Sequence, residues 1–117
     1  MKEHNEILDL SFQFSIRVVK LYQYLCQEKK EYVLSKQLLR SGTSIGANIN
    51  EAQAAISPKD FHAKLTIAAK EARESKYWID LLIATDYLPQ EKHVQTLQSD
   101  ILSIIKLLTA IVKSTKA

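Results

Sequence analysis

An all-α, up-down-up-down four-helix bundle is the fold this sequence predicts, and three observations predict it. Four long stretches carry apolar residues at helical spacing, the breaks between them are short, and only 2 Gly and 2 Pro occur in 117 residues. So few backbone breakers argue against many short strands joined by tight turns. Short connections between long helices favour antiparallel neighbours. The length suits one domain, and no repeat, low-complexity tract or linker divides it.

The first helix is expected from about residue 3 to 28, ended by the polar run Gln27-Glu28-Lys29-Lys30-Glu31. The second is expected from Val33 or Leu34 to about Ile56. Ser57-Pro58-Lys59-Asp60 then reads as a helix start: Ser57 caps, Pro58 suits the first position, and Asp60 puts negative charge in the first turn. That third helix runs to about Thr85. Asp86-Tyr87-Leu88-Pro89 is the last connection, with Pro89 suited to opening a fourth helix that reaches about Ser114.

The apolar arcs are wide. At ~100° per residue, Val94, Leu97, Ile101, Leu102, Ile104, Ile105, Leu107, Leu108, Ile111 and Val112 cover roughly 220° of the fourth helix, where packing on one core needs somewhat more than ~100°. The first helix is similar, with Ile7, Leu8, Leu10, Phe12, Phe14, Val18, Val19, Leu21, Tyr22 and Leu25. The third carries Phe61, Leu65, Ala68, Ala72, Ile79 and Ile83 on one side and Ile67, Trp78, Leu81 and Leu82 on another. A lone small bundle leaves part of this surface wet, and such patches mark contacts. A homo-oligomer is therefore expected; the alternative is that the arcs are generous bundle faces.

Composition limits function less than fold. At 46% hydrophobic and 25% charged the chain is far from the disordered class. A net charge of +3 is compatible with a nucleic-acid partner without requiring one. The lone Cys26 excludes an internal disulfide and a cysteine-cluster metal site, fits a reducing compartment, and reads as a small core residue. No targeting segment is visible, and the most apolar stretch, residues 101–112, is short of the ~20 residues of a membrane span and contains Lys106. A cytoplasmic chain without a membrane partner is expected.

The least ordinary stretch is Arg40-Ser41-Gly42-Thr43-Ser44-Ile45-Gly46-Ala47-Asn48-Ile49-Asn50-Glu51-Ala52. Its small polar residues and glycines are poor helix formers. Yet Arg40, Ser44, Asn48 and Glu51 fall at i, i+4, i+8 and i+11, one helix face, and Gly42 and Gly46 share another where a neighbouring helix can approach closely. The stripe is either a polar groove for a ligand or nucleic acid, or a buried hydrogen-bonded network with Arg40 answered by Glu71 or Glu74.

The motifs of familiar catalysts do not occur. His4, His62 and His93 are preceded three residues earlier by Met1, Lys59 and Gln90, so no Glu-x-x-His unit of a di-iron bundle exists, and each reads as a surface residue rather than a ligand. No phosphate-binding loop is present, since Gly46-Ala47-Asn48 lacks the Lys-Ser/Thr. Glu71 and Glu74 sit one turn apart with Lys70, Arg73 and Lys76 interleaved, which favours ion pairing over a metal. No enzyme, cofactor or metal is expected. Nucleic-acid contact rests on Lys59, Lys70 and Arg73, within roughly 60° on the third helix, and on Lys29, Lys30 and Lys36 around the first connection. A solvated mixed-charge face is the alternative.

The run from Gln37 through Arg40-Ser41-Gly-Thr-Ser44-Ile45-Gly-Ala47-Asn48-Ile49-Asn-Glu51-Ala52, with Ser57-Pro-Lys-Asp60-Phe61 and Lys64-Leu65-Thr-Ile67-Ala68-Ala-Lys70-Glu71-Ala72-Arg73-Glu74-Ser-Lys-Tyr77-Trp78, resembles the 23S rRNA intervening-sequence protein family. That family is similar to the Avd accessory proteins of diversity-generating retroelements. The resemblance covers essentially the whole chain and is most specific from Gln37 to Leu82. It implies an antiparallel four-helix bundle assembled as a homopentameric barrel, encoded within insertions in bacterial large-subunit rRNA genes or elsewhere in the chromosome. It also implies that Arg40, Ser44, Asn48, Glu51, Glu71 and Glu74 act as fold and assembly determinants. The Avd relatives bind nucleic acid through a basic surface and associate with a reverse transcriptase; this chain departs from them in being only weakly basic. A non-enzymatic oligomer associating weakly with RNA, DNA or a nucleic-acid-processing protein is the functional expectation, and a protein-interaction scaffold without nucleic acid the alternative.

Overall fold

The computed structural model describes residues 2–116, with side chains from Glu6 onward. The fold is four helices: α1 (Lys2–Gln27), α2 (Leu34–Ala52), α3 (Pro58–Ala84) and α4 (Lys92–Thr115), and no strand occurs among the described residues. They form a rod of 44 × 22 × 19 Å in which α1 packs on α2, α2 on α3, α3 on α4 and α4 back on α1, with no diagonal pairing. The α2–α3 seam is the most intimate and the α1–α4 seam the least. Every helix contributes to one core; Phe14, Ile45, Ile79 and Ile104, one from each, are at most 1% exposed.

The helix ends follow local chemistry. After α1, Lys30 takes a left-handed backbone (φ 55°). The Glu31 side chain then folds under the start of α2, accepting from the backbone N–H groups of Val33 (3.1 Å), Leu34 (3.0 Å) and Ser35 (2.7 Å), while the Ser35 hydroxyl donates to the Glu31 carbonyl at 2.8 Å. These are the unpaired donors of a first helical turn. The α3 start follows its sequence signature: the Asp60 N–H donates to Ser57 Oγ at 3.0 Å, Pro58 is the first helical residue, and Asp60 Oδ2 accepts from the Ile56 N–H at 3.2 Å. At its far end Asp86 (φ 68°) is the left-handed residue of a Schellman turn, with Asp86 N–H on the Ile83 carbonyl and Tyr87 N–H on that of Leu82.

Two boundaries differ from the sequence expectation. α2 stops at Ala52 rather than Ile56, because Gln53, Ala54 and Ala55 turn back onto carbonyls three residues earlier and Ile56, 93% exposed, offers no burial to hold a further α-turn. α4 opens at Lys92, not at Pro89: the turn after α3 buries Leu88 in the core, and the chain bends at Gln90 and is extended at Glu91 before the helix starts. The wide arcs resolve unevenly. On α4 most of the apolar residues are buried or half-buried and only Leu102 is exposed, whereas on α1 Phe12, Ile16 and Val19 are left in solvent. α4 is long and apolar enough to cross a membrane by length and composition, but its Val94, Leu97, Ile101, Ile104, Leu108 and Ile111 stripe lies in the bundle core.

Candidate nucleic-acid interface and the α2–α3 polar cluster

Small residues set the spacing on both sides of α2. A Cβ on Gly42 would lie 2.9 Å from both methyls of the buried Val18 on α1, and one on Gly46 would meet the Ser15 hydroxyl at 3.3 Å. On the other side the hydroxyls of Ser41 and Ser75, both buried, hydrogen-bond at 3.0 Å across the α2–α3 seam. This close approach brings the polar residues of α2 and α3 within reach of one another.

The structure gathers part of the polar stripe. Arg40 Nη1 lies 3.4 Å from Glu71 Oε2, Nη2 donates to Glu74 Oε2, and Nε donates to Gln37 Oε1 at 3.4 Å. The Trp78 indole N–H donates to the same Glu74 oxygen at 2.9 Å. One guanidinium thus holds two carboxylates, and an indole locks one of them in place.

The expectation of a buried network needs correction, however: the Arg40 side chain is 50% exposed, so the cluster lies at the rim of the seam. Ser44 and Asn48 do not join it through their side chains. Ser44 Oγ donates to the Arg40 carbonyl and Asn48 Nδ2 to the Ser44 carbonyl, each at 2.8 Å, the back-bonding that short polar side chains adopt within helices. Glu51 is further along the seam, paired with Lys64 at 3.7 Å.

The basic residues divide into two groups. Lys29 and Lys30 lie in the α1–α2 connection with Lys36 in the first turns of α2, whereas Lys59, Lys70 and Arg73 line α3. All six are exposed, and none has an ion-pair partner among the described residues. They do not form one patch, since α2 alone separates Lys36 from Lys59 by roughly 25 Å at ~1.5 Å per residue. On α3 the three cations follow a line along the outward face, with the exposed ring of Tyr77 one turn beyond Arg73.

Residues that periodicity did not single out do as much to hold the molecule. Arg17 clamps α1 onto α4, with Nη1 on Asp100 Oδ2 at 2.7 Å and Nη2 on the His93 carbonyl at 2.6 Å and Thr96 Oγ1 at 3.0 Å. Beside it a cleft of about 470 Å³ opens over Leu21, Leu88, Val94 and Leu97. Glu31 is only 8% exposed; burial raises its pKa, but the three backbone N–H donors outweigh that and hold it below the ordinary glutamate value. The sequence signal for Glu31 is a carboxylate just ahead of a helix start; for Arg17 there is none, because its partners come from another helix.

His62, expected at the surface, is half-buried with Nδ1 2.9 Å from Thr115 Oγ1, tying the start of α3 to the end of α4. His93 is exposed, and His4 lies outside the residues whose side chains are described. Cys26, expected in the core, is only half-buried and lies 3.9 Å from the Ser35 hydroxyl. Among the described residues no three His, Cys, Asp or Glu side chains converge as a metal site.

No curated protein matches the chain. A solved structure from Bacteroides thetaiotaomicron, described as a protein of unknown function from the S23 ribosomal protein family, is 50% identical over 95% of this chain and 98% of its own, with a TM-score of 0.91. Residues 3–110 match the profile described as 23S rRNA-intervening sequence protein. On the four-helix architecture and this match over nearly its whole length, the chain belongs to the 23S rRNA-intervening sequence protein family.

Proposed function

We propose that this chain is a non-enzymatic, cytoplasmic, homo-oligomeric bundle that associates weakly with nucleic acid or with a nucleic-acid enzyme, an accessory role of the Avd kind. The observation that carries the reading is the line of unneutralised cations on α3, Lys59, Lys70 and Arg73, exposed together on one face with Tyr77. Phosphate contact needs charge of this kind and little sequence-specific machinery. The antiparallel topology included in the proposal is supported by the order of the cross-helix pairs. Arg40 and Ser41, early in α2, meet Glu74 and Ser75 late in α3, while Glu51, late in α2, meets Lys64 early in α3. A homopentameric ring repeats each weak cationic line around the assembly, which is how a chain of net charge +3 presents a binding surface.

The test is light scattering coupled to size exclusion, with and without a short structured RNA, at low and at moderate salt. The expected outcome is an oligomer that shifts with RNA at low salt, loses the shift as salt rises, and loses it at all salts in a Lys59→Glu/Lys70→Glu variant. An oligomer blind to RNA at every salt moves the assignment to the second reading, a protein-interaction scaffold. That reading is favoured by the apolar side chains left in solvent, Phe12 at 64% exposure among them.

A further inference from the structure

Two unlike surfaces lie on opposite edges of the bundle. On the α1–α2 edge, Phe12, Ile16 and Val19 follow one another at i, i+4 and i+7, a single exposed apolar ridge on α1, and Phe12 lines a cleft with Gly46, Ala47 and Asn50 of α2. On the α3–α4 edge a groove of about 460 Å³ is lined by Arg73, Lys76, Tyr77, Asp80, Leu102 and Ile105, with Tyr77 and Leu102 exposed at 59% and 44%. Because the helices neighbour one another only in the order α1, α2, α3, α4 and back to α1, these two edges face away from each other.

Charge matches as well as shape. The carboxylate one turn before the ridge, Asp9, is exposed and without an ion-pair partner among the described residues. The same holds for Arg73 in the groove and for Lys106, one turn beyond Leu102.

We propose that the occupant of the α3–α4 groove is the α1 ridge of a second copy of this chain, with Phe12 seated between Tyr77 and Leu102 and Asp9 facing Arg73. This rests on the oligomeric reading above and adds which faces meet. An interface between unlike faces is head-to-tail: every subunit keeps one ridge and one groove, so the contact cannot stop at a symmetric dimer and either closes as a ring or continues as a filament. It also assigns Arg73 to self-association, leaving Lys59, Lys70 and the Lys29, Lys30 and Lys36 group to face any polyanion.

The experiment uses two variants of the full chain, Phe12→Asp, which disables the ridge, and Leu102→Asp, which disables the groove, both at exposed positions. Far-UV circular dichroism and urea midpoints verify folding, and light scattering gives the mass of each alone and of the two mixed. Each variant is expected to be a folded monomer, and the mixture a one-to-one heterodimer, because one intact ridge and one intact groove remain and no further contact can form. A wild-type monomer overturns the oligomeric reading and this inference together. A wild-type oligomer that either substitution leaves intact overturns only the assignment of faces, as do two folded monomers that fail to pair.

If either variant unfolds, the charge pair supplies the test. Asp9→Arg should lose the oligomer and Asp9→Arg/Arg73→Asp should recover it. Failure of that recovery overturns the assignment.

Discussion

Glu31 and Arg40 are both charged residues at helix seams, and their surroundings give them different weight. Glu31 is buried under three backbone donors at the positive end of α2, so the fold favours its ionised form and its pKa lies below the ordinary 4.5. Its contribution is complete above the unfolded value and is lost as pH falls through the lower folded one. At neutral pH Glu31→Gln should cost about 1–2 kcal/mol, the range for losing a helix cap. Urea titrations repeated on acidification should then show the wild-type midpoint falling more than that of the variant. Parallel pH profiles for the two proteins would contradict the capping role.

Arg40 holds two carboxylates but is half exposed. A buried partner set predicts ~3–5 kcal/mol for Arg40→Ala; at the rim the expected loss is about 1 kcal/mol, shrinking in high salt. A salt-independent loss several times larger in urea melts would mean that assembly or another packing event buries this cluster.

At the scale of the helix, α2 shows why residues of poor helix propensity form one. Its glycines and serines cost intrinsic stability and permit close contact with α1 and α3. The two glycines are not equivalent. A Cβ at Gly42 runs into both methyls of the stiff, buried Val18, whereas one at Gly46 meets hydroxyls and a carbonyl at 3.3–3.5 Å. Overpacking of ~1–3 kcal/mol against a propensity gain of ~1 leaves Gly42→Ala destabilised by up to about 2 kcal/mol. Gly46→Ala should stay within about 0.5 kcal/mol of wild type, the propensity gain offsetting a small adjustment. Thermal or urea unfolding of the pair checks this, and the reverse ranking would refute the packing account. The α3 start, by contrast, is a local event: Ser57, Pro58 and Asp60 make it with their own backbone and side chains, which is why it was legible from four consecutive residues.

The whole molecule divides its apolar surface unequally. α4 sinks its wide arc into the core, while α1 leaves a ridge bare and the α3–α4 edge leaves a groove. Its charges divide in the same way, with paired groups along the seams and unpaired cations on the outward face of α3 and at the first connection. If RNA is held by these cations, the logarithm of the binding constant should fall linearly with the logarithm of salt. Lys59→Glu should flatten that slope without changing the oligomer mass, because Lys59 lies outside the proposed ridge–groove contact. Loss of mass together with RNA binding in Lys59→Glu would show that the two surfaces overlap.

What the sequence determined by itself is local in origin. Helical periodicity placed the four helices to within a few residues, the Ser57 cap and its proline marked the start of α3, and the α2 and α3 motifs pointed to the family. Such features depend on side chains a turn or two apart, so neighbouring residues are enough to specify them. The tertiary structure decided whatever depends on which faces meet: that Arg40 stops at the rim instead of the interior, that Ser44 and Asn48 bond their own helix, and that Arg17 reaches Asp100. It also decided that α1 leaves a ridge uncovered while most of the α4 arc is buried. Burial and long-range pairing are set by the relative rotation of packed helices, which a periodic pattern on any one helix does not encode.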